Sequence, residues 1–151
     1  MLLGGDRRSR RRNLTAMQTV KKGTTIAHIG VAVRSLGDGM SLYRDVLGLE
    51  NVPMDNSDGA SIAAVAAGDS LIEFLEPQVP GSPIDKFIAK RGPGIHHICF
   101  AVDDLDAALD RCRAANIKLI DETPRLGAEG KRVAFLHPSS TSGVLVELTE
   151  H

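Results

Sequence analysis

His28-Ile-Gly-Val-Ala-Val33 and His97-Ile-Cys-Phe-Ala-Val102 are two versions of one segment, 69 residues apart. The same offset carries Leu36 onto Leu105, Met40 onto Leu109 and Arg44 onto Arg113, across two stretches whose apolar residues recur at helical spacing. After a shift of five residues, Leu71-Ile-Glu-Phe-Leu-Glu76 lies over Leu145-Val-Glu-Leu-Thr-Glu150 at an offset of 74, which pairs Glu73 with Glu147. The chain reads as two copies of one module.

Periodicity predicts the same element order in each copy. In the first, residues 26–33 alternate as a strand, and Leu36, Met40, Tyr43 and Leu47 mark a helix that ends near Gly48. Strands over 60–67 and 70–76 follow, joined at Gly68-Asp69, a hairpin signal. The second copy reads as a strand over 95–102, a helix over 104–115 capped by Asp103 or Asp104, a short strand near 118–120, and strands over 131–136 and 143–149. The second copy is thus β-α-β-β-β, and the repeat carries that order to the first. Between them Pro80-Gly81 breaks the chain, Ser82 can cap and Pro83 suits a first helical turn, so a linking helix is expected within 82–91. The fold class is α+β. The expected organisation is a basic leader over 1–22 without fixed structure and one domain over 23–151, with module one at 25–78 and module two at 94–150.

Size and composition agree with an ordinary domain. At 151 residues the chain can bury a core, and 42% apolar with 25% charged residues fits neither wholesale disorder nor a bilayer protein. No apolar run approaches the length of a transmembrane helix, so no membrane partner is expected. Aromatics at 3% leave little for stacking on single-stranded nucleic acid, and no nucleic-acid partner is expected either. The net charge of −1 conceals an asymmetry, because residues 1–22 carry five Arg and two Lys against Asp6. No apolar run follows this basic cluster, which argues against a secretory signal. Cys99 and Cys112 lack CxxC spacing and are expected as reduced thiols.

The repeat carries four polar side chains, His28, His97, Glu73 and Glu147, into matched places on apolar strands. A carboxylate at such a place must be paired, protonated or bound to a cation, since leaving it bare costs several kcal/mol. Alternation puts Glu73 on one face with Leu71 and Leu75, and Glu76 on the other. His28 shares a face with Gly30 and Ala32, and His97 with Cys99 and Ala101, small neighbours that suggest a cleft. Two imidazoles and two carboxylates suit Co, Ni, Mn, Zn or Fe as divalent ions. His96 is expected on the face opposite His97, His137 at a strand end and His151 at the terminus, none of them as ligands.

The segments Ala27-His28-Ile-Gly-Val-Ala-Val33, Leu42-Tyr-Arg-Asp-Val-Leu-Gly-Leu49 and Gly94-Ile-His-His-Ile98 resemble the vicinal oxygen chelate superfamily of glyoxalases, bleomycin-resistance proteins and dioxygenases. Leu75-Glu-Pro77, Phe135-Leu-His-Pro138 and Gly143-Val-Leu-Val-Glu-Leu148 are similar, within it, to the methylmalonyl-CoA epimerase family. The resemblance implies paired modules whose curved sheet encloses a divalent ion, Co2+ first and Ni2+, Mn2+ or Zn2+ otherwise, tied to His28, Glu73, His97 and Glu147. It implies interconversion of (R)- and (S)-methylmalonyl-CoA, a homodimer, and a cytoplasmic location, or the mitochondrial matrix in a eukaryote.

That chemistry removes the proton between a thioester carbonyl and a carboxylate and returns it to the opposite face, which asks for an acid/base group on each side. Glu147 is expected as one. Some family members carry a second catalytic glutamate on the strand that here reads Gly59-Ala-Ser-Ile-Ala-Ala-Val65, where Ile62 aligns and no acid is present, so Glu73 or a bound water is expected instead. Lys131 and Arg132, with Lys90 and Arg91, are candidates for the CoA phosphates, and Ser140 and Thr141 for the malonyl carboxylate. The competing readings are a glyoxalase-like lyase or isomerase acting on a thiol adduct, and a non-catalytic small-molecule-binding module of the same fold. The complete His/Glu quartet argues against the second.

Overall fold

Two strands with small inward residues make the centre of the sheet. The computed structural model describes residues 23–151, and the expected basic leader lies outside them. In β1 (Thr25–Ala32) the buried positions are His28, Gly30 and Ala32, and in β5 (Gly94–Val102) His97, Cys99 and Ala101 alternate inward in the same way, with Val102 buried at the strand end. β1 and β5 pair antiparallel. Each then takes a parallel neighbour, β4 (Ser70–Pro77) on β1 and β8 (Val146–Glu150) on β5. Beyond β4 lie β3 (Ala60–Ala67) and β2 (Asn51–Val52), and beyond β8 lie β7 (Arg132–Leu136) and β6 (Arg125–Leu126). The mixed eight-stranded sheet, in the order β2-β3-β4-β1-β5-β8-β7-β6, curls into a half-barrel whose two halves repeat each other.

The repeat extends to register. Gly30 lies beside Glu73 in the first half and Cys99 beside Glu147 in the second. Across the central pair, Gly30 faces His97 and Cys99 faces His28. A Cβ on Gly30 would stand 2.2 Å from His97 Cε1, so glycine is required there for the ring to lie over the backbone. Outside the sheet, the first helix of each module is held by an acid from the end of its own parallel strand. Glu76 Oε2 accepts the Leu36 N–H at 2.9 Å, and Glu150 Oε1 accepts the Leu105 N–H at 3.2 Å.

The helices are α1 (Leu36–Ser41), α2 (Pro83–Arg91) and α3 (Leu105–Ala114). The helix expected to run to Gly48 is α-helical only to Ser41 and then widens into a π turn over Leu42–Val46, closed by the Leu47 N–H on Leu42 O. The wider turn breaks the 3.6-residue pattern: Tyr43 reaches Phe74, with ring centroids 5.1 Å apart, while Leu47, expected on the buried face, is 58% exposed. Before α2, the Ser82 hydroxyl caps nothing; Asp85 Oδ2 reaches back instead to take the Gly81 N–H at 2.8 Å. Asp104 caps α3 through the Ala107 N–H.

Two strand expectations are corrected. Residues 118–120 make only a bridge, Leu119 with Leu136, and the short strand of module two is β6. The Asp121 side chain takes the Phe135 N–H at 2.8 Å, a bond a neighbouring strand would otherwise fill. The last strand begins at Val146, not Gly143, because Ser142 and Gly143 are both left-handed (φ 58° and 86°). The Gly68-Asp69 hairpin turn is as expected, with Ala67 facing Ser70. Cys99 and Cys112 are free thiols.

Candidate metal and acid/base site

The concave face of the sheet holds a cavity of about 250 Å³. At its floor the four side chains singled out by the repeat converge, each less than a tenth exposed. His28 Nε2 is 3.0 Å from His97 Nε2, 3.2 Å from Glu73 Oε2 and 3.2 Å from Glu147 Oε2, and His97 Nε2 is 3.0 Å from Glu147 Oε2. Neighbouring strands deliver them: His28 from β1 and Glu73 from β4 in one half, His97 from β5 and Glu147 from β8 in the other. The two imidazoles meet edge to face, at 87°.

These donor atoms fit a divalent ion. Separations of 3.0–3.2 Å are the edges of a coordination polyhedron with bonds of about 2.1 Å, the length nitrogen and oxygen ligands give. The electrostatics agree. Burial alone would lower His28, but Cys99, Glu129, Glu147 and Glu73 around it push it up to about 12, so the site draws positive charge to its centre. Cys99 also lies close enough to ligate, and burial pushes its thiol up to about 11. His28, Glu73, His97 and Glu147 are the residues that could hold the ion.

The two carboxylates differ. Burial would raise Glu147, but hydrogen bonds from His28 and His97 outweigh it and hold it at about 2. Of the two imidazoles Glu73 meets only that of His28, and the Glu129 carboxylate lies against it. Burial raises it to about 8, His28 opposing, with Glu129 and Glu147 adding to the rise.

His96 corrects an expectation. The β1–β5 ladder passes from Gly30/His97 directly to Val31/Ile95, so His96 is the unpaired residue of a β-bulge and turns into the cavity beside His97. Its Nδ1 is 2.9 Å from His97 Nδ1, and its ring meets Phe87 edge to face. Burial, with help from His97 and Arg91, lowers His96 to about 4, so a neutral imidazole orients the outer edge of His97.

Of the candidate substrate contacts, Lys131 lines the cavity. Arg132, one residue on, points to the other face, where it pairs with Asp106 at 3.1 Å and Glu150 at 2.5 Å. Ser140 Oγ accepts the Lys118 N–H at 2.9 Å, and the Thr141 hydroxyl donates to the Val144 carbonyl; neither residue lines the cavity. Arg91 lies over the Phe87 ring at 5.7 Å, outside the lining, as is Lys90. Ile62 lines the cavity from β3.

Sequence reasoning missed Glu129. It sits in the Gly127–Gly130 turn between β6 and β7, a segment that reads as solvated loop, yet it enters the cavity with Oε1 3.6 Å from His28 Nδ1. His28 holds Glu129 below the usual carboxylate range, burial opposing. Arg125, also in the lining, fastens this region to module one through Asp58 at 3.2 Å.

Residues 27–135 match the Glyoxalase/Bleomycin resistance protein/Dioxygenase superfamily. Over 126 residues the chain is 42% identical to the mitochondrial methylmalonyl-CoA epimerase of Dictyostelium discoideum, covering 82% of this chain and 76% of that protein. The chain belongs to this superfamily, among the methylmalonyl-CoA epimerases. The solved methylmalonyl-CoA epimerase of Mycobacterium tuberculosis superposes with a TM-score of 0.79 at 34% identity, covering 89% of this chain and 94% of that one. A Streptomyces coelicolor methylmalonyl-CoA epimerase variant in complex with 2-nitronate-propionyl-CoA superposes at 0.80, also at 34% identity, covering 85% and 95%.

Proposed function

We propose that this chain interconverts (R)- and (S)-methylmalonyl-CoA by removing and returning the α-proton at a site built on His28, Glu73, His97 and Glu147. The observation that carries the reading is the meeting of these four donor groups at one end of a cavity in a chain from the epimerase family.

The α-carbon lies between a thioester carbonyl and a carboxylate, both of which acidify its proton. Glu147, held ionised by the two histidines, accepts that proton. The C–H electron pair becomes the double bond of an enolate, and the charge moves onto the thioester oxygen. His28, Glu73, His97 and Glu147 would hold a divalent ion, cobalt first, which would supply Lewis-acid stabilisation for that charge. Apolar walls that include Leu75, Ile84, Val133 and Phe135 keep water from the reacting carbon. Lys131, at the cavity, is the cation for the CoA phosphates. The same proposal takes the protein as a homodimer in the cytoplasm, or in the mitochondrial matrix of a eukaryote; the Dictyostelium relative is named as mitochondrial.

The test is α-proton exchange of methylmalonyl-CoA in deuterated water, with metal-stripped protein, protein reloaded with cobalt, and the Glu147→Gln variant. Metal-dependent exchange that drops by orders of magnitude in the variant is expected. A folded protein that exchanges nothing with any divalent ion overturns the reading.

A further inference from the structure

We propose that Glu129 is the second acid/base group of this site, serving the face of the substrate opposite Glu147; the proposal rests on the epimerase reading above. Inversion at carbon needs one proton-transfer group on each side of the enolate plane. Four acids line the cavity: Asp58, Glu73, Glu129 and Glu147. Asp58 is tied to Arg125 at 3.2 Å. Glu73 is buried on the floor, with Oε2 committed to the donor set.

Glu129 differs from both. Its side chain is a quarter exposed, so it can trade a proton with solvent between turnovers, and it lies outside the donor quartet. Glu147 contacts Nε2 of His28, whereas Glu129 approaches Nδ1, so the two carboxylates meet different nitrogens of one imidazole ring. The neighbouring Ala128 packs on the cluster that contains Ile62, which brings the turn of module two to the wall of module one where β3 offers no acid. In one direction Glu147 takes the α-proton, the electron pair passes into the enolate, and the Glu129 carboxylate, having taken a proton from solvent, gives it to the other face of the same carbon. In the reverse direction the roles exchange, so no other reactant is consumed.

The experiment follows deuterium wash-in from deuterated water at the α-carbon of each epimer separately, using cobalt-loaded wild type and Glu129→Gln, with cobalt affinity measured by calorimetry. Gln in an exposed turn keeps size and fold while losing the proton-transfer function. Glu129→Gln is expected to lose epimerisation by about 10²–10⁴-fold. It should keep wash-in without inversion for the epimer whose proton faces Glu147 and lose it for the other, with cobalt affinity within threefold of wild type. Retained epimerisation overturns the proposal. Equal loss of wash-in from both epimers also overturns it, and a parallel loss of cobalt affinity would then assign Glu129 to the positioning of His28. Absence of wash-in in the wild type strikes the epimerase reading itself, and the proposal with it.

Discussion

Glu73 and Glu147 are the same residue of the same repeat, yet one is raised to about 8 and the other held at about 2. Glu147 receives both imidazoles; Glu73 receives only that of His28 and has the Glu129 carboxylate beside it. Duplication therefore keeps four donors converging on one point while contacts outside the quartet break the symmetry. The asymmetry continues outward: the second module sends Glu129 from its turn into the cavity, where the first presents Ile62 from its strand. A site that must treat two faces of one carbon differently gains from a scaffold that is twofold only in its backbone.

The comparison can be broken most severely at the carboxylates. Glu147→Gln should lower α-proton exchange by about 10²–10⁴-fold, the usual reach of general acid/base catalysis, whereas Glu73→Gln, which removes a group already raised toward neutrality, should cost about tenfold or less. Exchange kinetics of the two variants, side by side, decide whether the repeat is functionally asymmetric. The partner positions Gly30 and Cys99 come next. Gly30→Ala forces a methyl to 2.2 Å from the His97 ring and should weaken cobalt binding about 10- to 100-fold, while Cys99→Ala should leave it nearly unchanged; calorimetric titration reads both.

A smaller effect lies in the pH dependence of the metal-free protein. His28 and Glu73 both hold protons more tightly folded than unfolded, so the folded state binds more protons above their unfolded values of 6.5 and 4.5. The His28 contribution is complete below pH 6.5 and is lost as pH rises toward 12, and Glu73 adds to the loss up to about pH 8. The thermal midpoint of chelated protein should therefore fall from pH 6.5 to 8, and cobalt should flatten that slope, because the ion takes the place of the proton. Scanning calorimetry with and without metal makes the comparison. The smallest effect is expected at the paired helix supports: Glu76→Gln and Glu150→Gln should each cost about 0.5–2 kcal/mol in denaturant unfolding, in line with the loss of other helix-terminal acceptors.

The sequence by itself determined the repeat, the strand faces and the quartet, because side-chain alternation is a local property that two copies report twice. His28, Glu73, His97 and Glu147 could be placed on inward faces by counting in twos. His96 could not: a bulge adds one residue to one strand and reverses the parity of that count with no mark in the sequence. Arg132 was lost for a related reason, since it falls just inside β7 and turns outward to acids from α3 and β8 that are distant in sequence. Glu129 is the clearest case of what only the tertiary structure decided. Its turn looks like any other polar turn, and its place in the cavity depends on where the turn docks, which Ala128 against the Ile62 cluster and Arg125 on Asp58 settle through contacts between modules.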